Sequence, residues 1–302
     1  MKRKLEFTVP EEMDGAKLIH FLRSYVKMSY RLAMSLKQYP DGMMRNSEKI
    51  RTIDKVKVGE VIEINIPQEE SSVEPMNIPI DVIYADEDIL LINKQAGLAM
   101  HPTHNHQGDT LANAVAFYLK EKGDTGAFRS IGRLDKNTSG VVLCALNPFA
   151  ASRLSDELWA GEIKKTYYAI AEGEYSGEGT IDVPIYRPDP MKTLRAAGEE
   201  GDRAVTHWKC IKSGNGLSLL KINLETGRTH QIRVHFSHMG TPLAGDDMYG
   251  GKSELIKRHA LHCGELEFIH PVTGKMMQIY ADLPIDMQKV LDLFKKGAII
   301  GS

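Results

Sequence analysis

The chain has 302 residues, 42% of them hydrophobic and 26% charged, a composition typical of a soluble globular protein with room for two domains. Its longest apolar runs, such as residues 89–92, are far too short to span a bilayer, and its basic start is not followed by the apolar core of a signal peptide. The three cysteines show no paired spacing, so the sequence favours a reducing, cytoplasmic setting.

The net charge of −2 is unevenly distributed along the chain. Residues 1–67 carry 13 Lys/Arg and 9 Asp/Glu, a net charge of +4, whereas residues 68–90 carry 7 acidic and no basic residues. We therefore predict a first domain over residues 1–67, an acidic linker over 68–78 and a second domain over 79–302. A basic first domain is compatible with a phosphate-bearing partner, although an ordinary solvated surface is the commoner explanation of so small a charge.

The first domain is predicted to contain two helices followed by short strands. A helix over residues 15–27 is indicated by apolar side chains at helical spacing, namely Leu18, Phe21, Leu22, Tyr25 and Val26. Ser29 is a plausible cap for a second helix that ends near Lys37, and Pro40-Asp41-Gly42 marks a turn. Residues 57–64 alternate between apolar and polar side chains, as a half-buried strand does.

The second domain mixes strands and helices without strict alternation. Strand-like runs lie at residues 80–84, 89–93, 165–171, 204–211 and 217–224. Helical patterns lie at residues 110–120, from the Asn147-Pro148 cap to Gly161, and at 229–239, where Gly240 ends the last of them. We predict an α+β fold with a mixed, mostly antiparallel sheet and helices packed on it.

A polar loop at residues 132–140 places one carboxylate, Asp135, between two apolar runs. One interpretation is an Asx turn, in which Asp135 or Asn137 bonds nearby backbone N–H groups. The other is a reactive carboxylate, because a second polar block at residues 226–233 supplies Arg233 as a partner. A bidentate arginine would keep a partly buried aspartate ionised and fix its rotamer. The alternative for Arg233 is a cation on the surface of a helix.

These two blocks, Gly-Arg-Leu-Asp-Lys-Asn-Thr-Ser-Gly and Gly-Arg-Thr-His-Gln-Ile-Arg, resemble the signature blocks of the RluA family of pseudouridine synthases. Six further blocks match the family in the expected order: 92–102, 165–169, 245–250, 259–262, 270–274 and 283–284. Together they cover about residues 79–290. Gly132 stands where the family usually has histidine, and Gln95 stands where proline is common.

The resemblance implies an enzyme that isomerises uridine in RNA without a cofactor or a metal. Asp135 would be the nucleophile, either attacking C1′ or abstracting a sugar proton, and Arg233 would orient and neutralise it. Tyr167 would stack on the target base and could assist proton transfer, Ile232 would offer the base an apolar surface, and Arg133 would fill the space left by the flipped base. Substrate contacts are also implied for Leu134, Thr138 and His230.

The first domain resembles the small S-four-like RNA-binding domain of several family members. Phosphate contacts would then come from Arg23, Lys27, Arg31 and Lys37, with a solvated surface as the alternative for each of them. By family analogy we expect large-subunit ribosomal RNA as the substrate. A monomer is the default expectation, and the short apolar runs predict no membrane partner. The alternatives are a synthase for transfer RNA and a non-catalytic RNA-binding or ribosome-assembly factor.

Metal binding is the main rival interpretation of the polar residues. His101, His104 and His106 form a short histidine cluster, but no Cys or His pair at metal-site spacing accompanies them. Asp246 and Asp247 could be a carboxylate pair for a metal, although a loop is the simpler prediction. The sequence has neither a phosphate-binding glycine loop ending in Gly-Lys-Ser/Thr nor a dinucleotide fingerprint, so we predict no metal and no nucleotide cofactor.

Overall fold

The amino-terminal unit is a four-stranded antiparallel sheet with helices on one face. The structure, a computed structural model, describes residues 3–103, 107–127 and 129–296, with the backbone alone for 295 and 296. The elements of this unit are β1 (Arg3–Thr8), α1 (Leu18–His20, continued by a π-helical turn at Phe21–Tyr25), α2 (Tyr30–Leu36), β2 (Met43–Arg45), β3 (Glu48–Lys49) and β4 (Val61–Ile66). The strands lie in the order β1-β4-β2-β3.

The predicted helices and turn of this unit are present, with shorter bounds. The first helix begins at Leu18 instead of residue 15, and Tyr25 is 44% exposed although its spacing predicted a buried side chain. The Ser29 hydroxyl accepts a hydrogen bond from the backbone N–H of Leu32, as expected of a cap. The strand predicted at 57–64 begins only at Val61, because Gly59 has a φ of +80° and turns the chain before it.

The larger unit is built on a ten-stranded sheet. Its strands are β5 (Asp81–Ala85), β6 (Ile89–Lys94), β7 (Arg129–Ser130), β8 (Ser139–Ala145), β9 (Lys164–Glu172), β10 (Glu178–Asp182), β13 (Val205–Gly214), β14 (Leu217–Leu224), β15 (Leu261–Ile269) and β16 (Met276–Tyr280), and a separate hairpin contains β11 (Ile185–Tyr186) and β12 (Ala196–Ala197). The helices are α3 (Leu111–Glu121), α4 (Pro148–Trp159), α5 (Gln231–His238) and α6 (Ile285–Lys296).

The order β10-β13-β14-β9-β15-β8-β6-β5 contains one parallel pair, β8 with β15, and the other neighbours are antiparallel. The predicted α+β fold with a mixed, mostly antiparallel sheet is therefore confirmed. Asn147 caps α4 through its side chain, and Thr110 caps α3 with a capping box. The helix predicted at 229–239 is shorter, because His230 adopts a left-handed φ of +59° before α5 starts.

Strand β15 brings the two most informative parts of the sequence together. It pairs with β8, which follows the Asp135 loop, and with β9, which carries Tyr167, so Cys263 lies opposite both Gly140 and Tyr167. A Cβ on Gly140 would lie 2.1 Å from the carbonyl oxygen of Cys263. Glycine is therefore required at position 140 for contact between two strands, and not for the approach of a ligand.

The two units are joined by a shared hydrophobic core and by an ion pair. Phe149 of α4 lies in the hydrophobic core of the amino-terminal unit, with its ring 5.9 Å from that of Phe7. Arg3 donates to both oxygens of Asp88, which is 3% exposed. The predicted linker is partly tied down, since the Asn113 side chain donates to the carbonyl of Glu74 at 2.8 Å. No helix in the described ranges is long and apolar enough to cross a membrane.

Candidate active site

A cavity of about 70 Å³ opens between the Asp135 loop, β9 and the start of α5. Seven of the residues that the sequence assigned to catalysis or substrate binding line it. These are Arg133, Leu134, Asp135, Thr138, Tyr167, His230 and Ile232. Segments that lie about 100 residues apart in the sequence thus meet in one place, because β8, β15, β9 and α5 are neighbours in the fold.

Arg233 is the partner of Asp135. Its Nη1 donates to Oδ2 of Asp135 at 3.2 Å, and the arginine is 4% exposed, so it is not a surface cation. The Asp135 side chain faces this guanidinium, while its backbone carbonyl accepts from the N–H of Thr138 at 3.1 Å and closes the turn. The predicted ion pair between Arg233 and Asp135 is present. The prediction that Arg233 binds Asp135 through two hydrogen bonds is wrong, because only Nη1 donates to it.

The bidentate partner of Arg233 is Asp246. Nε and Nη2 of Arg233 donate to the two oxygens of Asp246 at 2.7 and 2.8 Å, and Asp246 is fully buried. Burial opposes the charge of Arg233, but the hydrogen bonds and charge of Asp246 outweigh it and raise the pKa of the guanidinium. Asp246 thus serves as the anchor of an arginine and not as half of a metal-binding pair with Asp247. The sequence block at residues 245–250 gives no sign of this role.

Four consecutive residues of the Asp135 loop are held by buried side chains from other segments. The contacts are Lys94 Nζ to the carbonyl of Lys136 (3.0 Å), Arg258 Nη1 to the carbonyl of Asn137 (3.1 Å), His259 Nε2 to the hydroxyl of Thr138 (2.9 Å) and His262 Nδ1 to the hydroxyl of Ser139 (2.9 Å). Burial, followed by the nearby cations, lowers the pKa of His259 to about 2, so this imidazole is neutral. The loop therefore has little freedom to relax away from Arg233.

Tyr167 and Ile232 form the apolar part of the cavity. Both are buried, as is Leu134 beside Asp135. Burial, followed by the neighbouring Cys263 and Asp135, raises the pKa of the Tyr167 hydroxyl well above its usual value. The hydroxyl is therefore protonated at neutral pH and can donate a proton or a hydrogen bond, but it cannot act as a resident base.

Gly132 and Arg133 lie at the start of the loop. Gly132 has a φ of +74°, and a Cβ there would come within 3.0 Å of Lys165 Nζ. The backbone conformation therefore accounts for glycine in place of the family's usual histidine. Arg133 is exposed and lines the same cavity as Asp135.

The candidate RNA contacts of the first unit lie away from the cavity. Arg23, Lys27, Arg31 and Lys37 are all exposed on or beside α1 and α2, and Arg23 also donates to the carbonyl of Met28 at 2.9 Å. Of the histidine cluster, His101 contacts Ser130 at 2.9 Å, while His104 and His106 lie outside the described residues.

One group of metal-ligand type occurs within the described ranges, beside the first unit. Its ligand atoms come from Asp86, Asp88 and His270 and lie within 4.8 Å of one another. Both oxygens of Asp88 already accept from Arg3, and Nε2 of His270 is 2.9 Å from Asp86. Internal ion pairs therefore account for this cluster.

Comparison with known proteins places these residues in a family. The family described as RNA pseudouridylate synthase matches residues 88–238. A Bacillus subtilis protein named uncharacterized RNA pseudouridine synthase YhcT is 38% identical over 292 residues, or 95% of this chain and 96% of the relative. The Escherichia coli K12 ribosomal large subunit pseudouridine synthase D is 37% identical over 257 residues, or 80% of this chain and 79% of the relative.

A solved structure shares the fold. The structure of human RNA pseudouridylate synthase domain containing 1 superposes with a TM-score of 0.56 at 23% identity and covers 76% of this chain and 98% of its own. The family match, the near full-length relatives and the motif blocks agree with one another. The chain therefore belongs to the RNA pseudouridylate synthase family, of the RluA type that its motifs resemble, and is an isomerase that acts on RNA.

Proposed function

We propose that Asp135 is the catalytic carboxylate of this enzyme and that Arg233 balances its charge and holds it in place. The observation that carries this proposal is the 3.2 Å contact between the two residues at a cavity whose walls include Tyr167 and Ile232. A carboxylate with a buried cationic partner is suited to stabilising a developing oxocarbenium centre, as in glycosidases. Asp246 supports the pair because it holds the guanidinium from the opposite side.

In the proposed reaction the C1′–N1 bond of uridine breaks, the uracil turns, and a C1′–C5 bond forms. Asp135 either attacks C1′ and is displaced by C5, or removes a sugar proton that is later returned. The proton on C5 is lost and N1 gains one, so atoms and charge balance without an oxidant or reductant. Tyr167 and Ile232 would hold the uracil between them, and the protonated Tyr167 hydroxyl could assist proton transfer.

The target base has to leave its helix to reach this cavity. Asp135 lies at a cavity that is small and lined by buried side chains, and a base within a duplex could not enter it. Arg133 is exposed at the same loop and would occupy the position that the flipped base leaves. Contacts from Leu134, Thr138 and His230 would complete the site around the nucleotide.

We assign large-subunit ribosomal RNA as the substrate, by similarity to relatives that are named for that activity. The amino-terminal unit, with exposed Arg23, Lys27, Arg31 and Lys37, would act as an S-four-like domain that contacts phosphates beside the target. A monomer remains the default expectation, and the three free cysteines favour a cytoplasmic setting.

Pseudouridine mapping of total RNA tests this assignment. Cells that lack the gene should lose one or a few pseudouridines in large-subunit RNA, and the wild-type gene should restore them while Asp135→Asn does not. Loss of a site in transfer RNA would overturn the substrate. Restoration by Asp135→Asn would overturn the role of Asp135. No lost site in any RNA would favour a non-catalytic RNA-binding factor.

A further inference from the structure

A hydrogen-bonded chain leads away from the cavity through His230 and Tyr249. Nδ1 of His230 lies 2.9 Å from Oη of Tyr249, and this Oη accepts from the backbone N–H of Arg195 at 3.0 Å. On the other side of the imidazole, Nε2 of His230 lies 3.8 Å from Oδ2 of Asp135. Tyr249 and Arg195 have no role in the function proposed above. This series of hydrogen bonds ends at the hairpin that holds β11 and β12.

His230 is a neutral side chain in this environment. Burial lowers its pKa below the usual value, and the charges that face it act in both directions: Asp135 and Asp246 raise the pKa, and Arg233 and Arg195 lower it. His259 also faces it and is itself neutral. A neutral imidazole carries one hydrogen, so one ring nitrogen donates and the other accepts.

The hydrogen positions follow from Tyr249. A backbone N–H can only donate, so the Tyr249 oxygen is the acceptor towards Arg195 and its own hydrogen is available for Nδ1 of His230. If Nδ1 accepts, the ring hydrogen is on Nε2 and faces Asp135. The opposite tautomer would point the Nε2 lone pair at the Asp135 carboxylate, which is electrostatically unfavourable at this separation.

Tyr249 also contacts the other partner of Asp135. Its ring centroid lies 4.9 Å from Cζ of Arg233, a cation–π contact, and its ring meets that of His230 edge-on at 82°. His230 itself has a φ of +59°, a conformation that non-glycine residues adopt rarely and that the surrounding contacts must hold in place. One tyrosine thus packs against both side chains that face Asp135.

We propose that Tyr249 is a positioning residue that fixes neutral His230 as its Nε2–H tautomer, so that the imidazole presents an N–H donor to Asp135 and to the cavity. This inference rests on the proposed function, in which Asp135 is the catalytic group. Asp135 shares its arginine with Asp246, and at 3.8 Å the Nε2–H dipole of His230 adds an electrostatic contribution to the stabilisation of its charge.

Nitrogen-15 NMR of the imidazole rings tests the tautomer directly. The chain has 11 histidines, and the signals of His230 are identified as those that disappear in His230→Gln. In the wild type we expect a protonated Nε2 and an unprotonated Nδ1. In Tyr249→Phe, which keeps the ring on Arg233 and removes only the hydroxyl, we expect a mixture of the two tautomers.

Kinetics on an unmodified transcript of the mapped RNA provide the second measurement. Tyr249→Phe should lower kcat by about 10- to 100-fold. The loss is roughly 10⁴-fold in an enzyme whose general base is a histidine in the wrong tautomer, and we expect less here because His230 acts only through Asp135. KM should stay within about 2-fold of the wild type, since the hydroxyl acts on Asp135 and not on RNA binding. Tyr175→Phe is the matched control, because it removes a partly buried hydroxyl that bonds Thr241 outside the site, and it should leave kcat unchanged.

Two results would overturn the proposal. The first is a protonated Nδ1 on wild-type His230, and the second is a Tyr249→Phe variant with wild-type tautomer and wild-type kcat. The tautomer measurement does not depend on whether Asp135 is the nucleophile, because the ring signals report the tautomer without turnover. If no RNA is modified but the Nε2–H tautomer is found, the proposed function fails and the assignment of the tautomer stands.

Discussion

At the scale of single residues, the site is a cluster of two carboxylates around one guanidinium. Arg233 gives two hydrogen bonds to the fully buried Asp246 and one to Asp135, whose side chain is 19% exposed. Asp246 is thus the anchor, and Asp135 is the carboxylate with access to a substrate. A nucleophile needs both properties, a charge that is stabilised and an oxygen that can still be reached.

Asp135→Asn should abolish pseudouridine formation, by at least about 10³-fold in kcat, because the amide keeps the shape of the side chain but has no anionic oxygen. RNA affinity should change little, as Arg133 and the cations of the first unit remain. The measurement is single-turnover pseudouridine formation alongside a binding titration. Asp247→Asn, an exposed acid next to the anchor Asp246, is the control and should remain active.

Arg233→Ala should destabilise the protein by about 3–5 kcal/mol, because Asp246 is left buried without its partner. Activity should also be lost. Urea unfolding measures the free energy, with Arg133→Ala as the control, since that exposed arginine should cost no more than about 0.5 kcal/mol. A change below 1 kcal/mol in Arg233→Ala would show that Asp246 finds another partner or takes up a proton at little cost.

His259 predicts how stability depends on pH. Its pKa is about 2 in the folded protein and about 6.5 when unfolded, so the unfolded chain binds one more proton below pH 6.5. The His259 contribution to folding is thus fully present above pH 6.5 and falls by about 1.4 kcal/mol per pH unit below it. The free energy of unfolding of His259→Gln should fall less steeply with decreasing pH than that of the wild type. Urea unfolding at pH 7, 6 and 5 measures this dependence. Parallel curves would contradict the assignment of a neutral, buried imidazole.

At the scale of elements, the order of strands decides which side chains meet. β15 lies between β8 and β9, so the loop before β8 and the middle of β9 are separated by a single strand. α5 then places Ile232 and Arg233 over the same edge, starting directly after the strained His230. The amino-terminal helices α1 and α2 instead present their basic side chains to solvent, and none of these side chains lines the cavity.

Replacing Lys27, Arg31 and Lys37 together by alanine should weaken RNA binding and reduce its salt dependence. Each lost phosphate contact lowers the slope of log K against log salt by about 0.7–0.9, so the slope should fall by up to about 2–3. Binding titrations at several salt concentrations measure it. The control replaces three exposed lysines of the larger unit, Lys120, Lys257 and Lys289, and should keep the slope. Equal slopes in the wild type and the first variant would refute a phosphate-binding role for α2 and the residues beside it.

At the scale of the whole molecule, the two units are joined by a shared core and by buried charge. Phe149 of the larger unit is 1% exposed and packs within the core of the first unit, and Arg3 of the first unit neutralises Asp88 of the larger one. Deleting residues 1–67 would therefore expose Phe149 and unpair Asp88. Point substitutions on and beside α2 are a cleaner test of RNA binding than truncation.

Phe149→Ala should destabilise the protein by about 3–5 kcal/mol, as expected for a buried phenylalanine that leaves a cavity. Because Phe149 joins the two units, the loss should fall mainly on the amino-terminal unit, which should become sensitive to protease before the larger one does. Limited proteolysis with mass spectrometry measures this order. Simultaneous cleavage of both units would contradict it. Leu158→Ala is the control, because Leu158 lies at the other, partly exposed end of α4. It should lower the free energy of unfolding by less than Phe149→Ala does.

Local patterns in the sequence determined the elements and the chemistry. Apolar periodicity indicated five strands of the larger sheet and three of its helices, the Ser29 and Asn147 caps were correct, and the motif blocks assigned the loop residues that line the cavity. It did not indicate β10, β15, β16 or α6, and at element ends a positive φ at Gly59 or His230 breaks a pattern that spacing alone would continue. These features depend on residues within a few positions of one another, and so a sequence can display them.

Only the tertiary structure decided which groups are partners. The sequence paired Arg233 with Asp135 but not with Asp246, and it gave no role to Lys94, His259 or Tyr249 in holding the site. Each of these contacts joins residues from different segments of the chain. The position of the Tyr249 ring over Arg233 depends on how the segment between α5 and Tyr249 folds back onto α5. Spacing along a chain carries no information about such distances, because the packing of the sheet and helices sets them.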